Sequence, residues 1–202
     1  MSTRKEETRT RLLGAARALF EERGYHAIGL EEIGAAAGVS RQAVYLHFGS
    51  KAQLLADLFS WVEEQERLSD LLEPVLSAPS GLEALVRLVD AHAAFEGRIA
   101  AIADVAESAR RTAPEMDALV GERMAIRHRA MREIVARVRN EGRLRPGWTI
   151  DDAAGFVWTL LSPAAYRLLV HERGWSARRW STRTKQLLLG AFITEGPDDL
   201  DT

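Results

Sequence analysis

The chain has no cysteine among its 202 residues, which excludes a disulfide framework, a thiolate nucleophile and any cysteine-built metal site. It also lacks an uninterrupted apolar run of membrane-spanning length, and its first residues, MSTRKEETRTR, have no apolar signal core. The expectation is a cytoplasmic protein with no membrane partner. Charge of one sign is missing too, since 27 Lys/Arg face 29 Asp/Glu. Residues 1–60 carry eight basic against seven acidic side chains. Any affinity for nucleic acid must therefore come from local placement of cations rather than from net charge. The five histidines have no H-x-x-x-H spacing, and no G-x-S-x-G, phosphate-binding loop or dinucleotide fingerprint occurs. No catalytic residue, metal ligand or cofactor is expected.

What is present is helical periodicity in an ordinary globular composition, 47% hydrophobic and 28% charged. Thr3 with Glu6, Ser50 with Gln53 and Ser80 with Glu83 have capping-box spacing, and Thr149 and Ser176 stand at two further helix starts. The first helix has an inner face of Leu12, Leu13, Ala16, Leu19 and Phe20 and ends at Gly24, with Tyr25, Ala27 and Ile28 packing behind it. The fourth runs about twenty residues from Lys51 to about Leu72. The fifth falters at Gly97 and a sixth follows from Arg98 to Arg111. The seventh opens at Pro114 and reaches Asn140, and the eighth, from Thr149 to about His171, bends at Ser162 and Pro163. The ninth ends near Ile193. An all-α protein of nine helices is predicted, with no β pattern and a disordered tail over 196–202.

The informative stretch is GLEEIGAAAGVSRQAVYLHFGSK, residues 29–51. Leu30, Ile33 and Ala37 share one helix face, Gly38 stops that helix, and Ser40 caps the next, whose Val44 and Phe48 point inward. Arg41, Gln42, Tyr45 and His47 project elsewhere, and all four can bond phosphates or bases. This is a helix-turn-helix layout, in which the second helix enters the major groove. The string AAAGVSRQAVYLHFGSKAQLL, preceded by LFEERGYHAIGLEEIG, resembles the N-terminal domain of the TetR family of bacterial transcriptional regulators over about residues 8–60. Gly29 departs from the threonine frequent in that family, and Gly34 from its usual alanine.

The resemblance implies a nine-helix TetR-like fold: a DNA-binding domain over 1–50, with its helix-turn-helix at about 30–49, a connecting helix over 51–73, and an effector-binding and dimerisation domain over 74–195. It implies DNA-binding roles for Ser40, Arg41, Gln42, Tyr45, His47 and Lys51. Arg41 and Gln42 suit base edges, whereas Tyr45, His47 and Lys51 suit phosphates. The partners implied are double-stranded DNA carrying a palindromic operator, a small-molecule effector and a second copy of the chain. Polar residues on apolar faces nominate an effector pocket of Trp61, His92, Phe95, Met124, Arg127, His128 and Trp158. By the same resemblance the last two helices pair across a two-fold axis, through Tyr166, Leu169, Trp180, Leu187, Leu188 and Ala191. A DNA-organising protein without effector and an enzyme on the same scaffold are the alternatives.

Overall fold

The computed structural model describes residues 4–194. Ten α-helices and one π-helical turn form among them: α1 (Arg4–Ala27), α2 (Leu30–Ala36), α3 (Arg41–Phe48), α4 (Lys51–Gln65), α5 (Leu68–Leu76), α6 (Gly81–Arg110), α7 (Pro114–Asn140), α8 (Ile150–Leu160), α9 (Pro163–Arg167), the π turn Leu168–Glu172, and α10 (Ala177–Phe192). The extended pairing described is a single antiparallel bridge between Leu144 and Ile193. Among the described residues no single helix is long and apolar enough to cross a membrane.

The count differs from nine for three physical reasons. The helix begun at Lys51 stops at Gln65, because Arg67 takes a left-handed conformation (φ 51°, ψ 47°) before α5 starts. A non-glycine residue there costs roughly 1–2 kcal/mol, so the break lies where no glycine announces it. In the opposite direction, α6 runs unbroken through Gly97 for 30 residues. Ala93, Ile99 and Ile102 are buried on either side of that glycine, and their packing outweighs the roughly 0.5–1 kcal/mol that glycine costs in a helix. Third, Pro163 starts a new helix capped by Ser162, and the axis bends by 45° there. Thr3, with its expected capping box, and the 196–202 tail lie outside the described residues.

The chain forms two compact units. One comprises Met1–Glu66 with Ile99–Arg123, the other Arg67–Arg98 with Met124–Thr202. Both α6 and α7 thus contribute to each. In the first unit Leu12, Leu13, Ala16 and Phe20 of α1 are buried with Ile33, Val44, Leu54, Leu55 and Leu58. Tyr25 and Ile28 join this core as expected, but Ala27 is exposed. Arg17 bridges to Glu66 (3.1 Å) and Arg123 to Glu63 (2.6 Å); such half-exposed pairs contribute at most about 1 kcal/mol each. The second unit is built around Leu85, Val89, Met131, Val135, Val138, Val157, Leu161, Trp180 and Leu188.

Candidate nucleic-acid interface and buried polar cluster

Helix α3 is held from beneath and open above. Val44 and Phe48 are buried, four residues apart on one face. Ser40 Oγ accepts from the Ala43 backbone N–H at 3.2 Å, a cap that typically contributes about 1 kcal/mol. The preceding turn needs Gly38, whose φ of 69° lies in the left-handed region. Helix α2 approaches closely, because a Cβ on Gly34 would stand 2.9 Å from Val39 O and 3.0 Å from Val44 Cγ2. The glycine that departs from the usual alanine therefore sets how tightly the two helices cross. At Gly29 no hydroxyl caps α2, yet the Glu32 carboxylate accepts from Gly29 N–H at 3.0 Å. That bond and the Arg23 guanidinium hold the Glu32 carboxyl below its usual range.

Arg41 and Gln42 are exposed at the N-terminal end of α3, and Tyr45 one turn on is 61% exposed. His47 is half-buried, its ring 6.0 Å from that of Phe48. Lys51 opens α4, which Ser50 caps through Gln53 N–H at 3.0 Å; the Gln53 side chain turns to Asp57 instead of completing the box. The Lys51 ammonium lies 4.1 Å from the Tyr25 ring centroid, and burial lowers its pKa. Among the cations of α1, Arg9 is paired with Asp57 at 2.8 Å. Arg4, Lys5 and Arg11 are exposed, and Arg11 Nη1 lies by the Gly38 turn, 3.9 Å from where a Cβ would stand. One exposed residue of α3 escaped the sequence reading: Leu46, 77% exposed. Its signal is that an apolar residue sits off the stripe set by Val44 and Phe48.

The second unit brings together part of the nominated pocket. His92 is 6% exposed, packed edge-on to Tyr166 and against Trp180. Its Nδ1 lies 3.5 Å from Arg127 Nη2. A guanidinium only donates, which assigns the imidazole proton to Nε2. Burial first, and the Arg127 charge second, push His92 down to about 3, so it is neutral. Nε2 is buried and makes no hydrogen bond of normal geometry; Glu96 Oε1 stands 3.8 Å away, and the Ser162 backbone by the imidazole acts against the downward shift. Arg127 also donates to Leu161 O at 2.5 Å and touches Met124 Sδ at 3.8 Å. His128 makes a separate perpendicular pair with Trp158, whose Nε1 is buried and unpartnered. Phe95 is half-buried in the same unit, and Trp61, also half-buried, belongs to the other.

The expected pairing face needs correction in three of its six residues. Tyr166, Trp180 and Leu188 are 3%, 1% and 1% exposed inside the chain's own core, so they have no surface for a partner. Leu187 is exposed, and Leu169 and Ala191 are half-buried. Phe156 on α8 and Leu168 in the π turn, which sequence reasoning had left off that face, are exposed as well.

Residues 12–58 match the profile of the bacterial regulatory proteins of the tetR family. The HTH-type transcriptional activator FasR of Mycolicibacterium smegmatis is 50% identical over 50 residues, 25% of this chain and 23% of FasR. The HTH-type transcriptional regulator UidR of Escherichia coli K12 is 31% identical over 140 residues, 67% of this chain and 66% of UidR. The chain thus spans under a quarter of the first relative and about two thirds of the second. The crystal structure of NalD, the secondary repressor of the MexAB-OprM multidrug efflux pump in Pseudomonas aeruginosa, superposes with a TM-score of 0.73 at 25% identity, covering 95% of this chain and 100% of that one. With the helix-turn-helix geometry, the profile and these likenesses agreeing, the chain belongs to the TetR family of bacterial regulators.

Proposed function

We propose that this protein is a homodimeric transcriptional repressor that binds a palindromic operator through α3 of each subunit and leaves it when a small-molecule effector binds. The observation that carries the reading is α3 itself: Arg41, Gln42 and Tyr45 stand exposed on a helix fixed by the Ser40 cap and by buried Val44 and Phe48. In this reading residues 1–50 bind DNA, 51–73 connect, and 74–195 bind effector and dimerise. Arg41 forks onto guanine or a phosphate, and Gln42 pairs with adenine. Tyr45, His47 and Lys51 hold phosphates, Lys51 beside the free N–H groups that open α4.

Pairing is supported by the exposed Phe156 on α8 and Leu187 on α10. Gly190 on α10 has nothing within 4 Å of its missing Cβ, which leaves room for another helix. Effector binding is assigned to the neighbourhood of His92, Arg127 and Met124, with Phe95, His128 and Trp158 as further candidates. The His92 imidazole N–H is buried without a hydrogen bond of normal geometry, and a hydrogen-bonding ligand would satisfy it. The effector acts by binding more tightly to a state whose two α3 helices no longer fit both half-sites.

Binding of full-length variants to a duplex selected from a randomised library tests the DNA assignment. Gln42→Ala costs about 1–3 kcal/mol on that duplex and relaxes base preference at one position, with the salt slope intact. Lys51→Gln weakens binding to all duplexes alike and lowers the salt slope by about 1. Equal affinity of both variants and the parent on the selected duplex contradicts the assignment.

A further inference from the structure

We infer that Leu46 is a specificity residue that reads the C5-methyl group of a thymine in each half-site; the inference rests on the DNA-binding role of α3 proposed above. Leu46 is 77% exposed, close to Leu76 at 79%, the highest among the large hydrophobic side chains of the described residues. An exposed leucine alone carries no meaning. This one stands four residues after Gln42, so the two share one stripe of the helix, about 40° apart around its axis and one turn along it. The inward stripe is already filled by Val44 and Phe48. Leu46 therefore has no role in the chain's own core, and its branched apolar end lies beside the groups that face base edges.

The major groove presents one apolar feature, the thymine methyl, among donors and acceptors that a leucine cannot satisfy. Opposite guanine, cytosine or adenine the Leu46 side chain would cover a polar edge without bonding it, which is unfavourable. Opposite thymine it buries methyl against methyl. The preference thus arises from both the favourable contact and the penalty at the other bases. Gln42 and Leu46 together read two neighbouring positions, one by hydrogen bonds and one by shape.

The test uses the full-length protein and a duplex enriched from a randomised library, with each thymine replaced singly by deoxyuridine, which removes only the methyl group. One position per half-site should weaken binding by the parent protein about fourfold, the effect of roughly one buried CH₂, and Leu46→Ala should abolish that sensitivity. Because Leu46 is exposed, the variant keeps the parent's thermal melt, which circular dichroism checks. A flat deoxyuridine profile overturns the inference, as does a methyl-sensitive position that persists in Leu46→Ala. Enrichment of no duplex at all overturns the DNA-binding reading itself, a result separate from the other two.

Discussion

Trp180→Ala destabilises the protein by about 3–5 kcal/mol, measured by urea denaturation of the purified chain. Trp180 is 1% exposed, and its ring packs 5.1 Å from that of Tyr166 and 5.4 Å from that of His92. Truncation removes the largest fully buried side chain of the second unit and leaves a space bounded by an aromatic ring and a buried imidazole. Neither can close over it without breaking other contacts, because His92 is tied to Arg127 and Tyr166 is itself 3% exposed. Single domains commonly have only 5–15 kcal/mol in total, so the variant stands near the edge of folding. A loss below about 1 kcal/mol means that the site collapses freely and that this core is looser than its burial implies.

Gly81→Ala destabilises by about 3 kcal/mol, near the upper end for overpacking, although glycine to alanine usually favours a helix. Gly81 opens α6, where a Cβ would lie 2.5 Å from Val138 N and 2.8 Å from Arg137 C and Cβ. Those are mainly backbone atoms of α7, which cannot turn aside as a side-chain end can. The same junction is clamped from both directions: Gly81 N–H donates to Glu141 Oε1 at 2.6 Å, and Arg137 Nη2 donates to Ala78 O at 2.7 Å. Gly97→Ala is the control on the same helix, since nothing lies within 4 Å of its missing Cβ. It stabilises by about 0.5–1 kcal/mol through helix propensity. Thermal melts of the two variants should move in opposite directions, and a common direction contradicts the close approach of α6 to α7.

The helix-turn-helix was legible because its determinants are local. Gly38 at positive φ, the Ser40 cap and the Val44 and Phe48 spacing each act within one or two helical turns. Leu46 was missed for a different reason: attention to polar groups on α3 passes over an apolar one. Longer-range features were less legible. The end of α4 depends on Arg67 at positive φ inside the sequence EQERLSDLL, which has no glycine or proline to mark it. The unbroken α6 depends on the burial of Ala93, Ile99 and Ile102 around Gly97, and Ala93 packs in a cluster with Met131 and Val135, far along the chain. The pairing residues failed most plainly at Tyr166, Trp180 and Leu188. An apolar stripe on α10 shows that something covers it, and the sequence alone does not distinguish the chain's own core from a second copy.

Hydroxyl-radical footprinting by the full-length protein on the DNA flanking its own gene tests most directly that two α3 helices read one symmetric operator. Protection of a short palindrome is expected, in two equivalent clusters whose centres are separated by about one helical turn or a multiple of it. Protection of long stretches without symmetry, or none at protein concentrations that saturate the selected duplex, contradicts it.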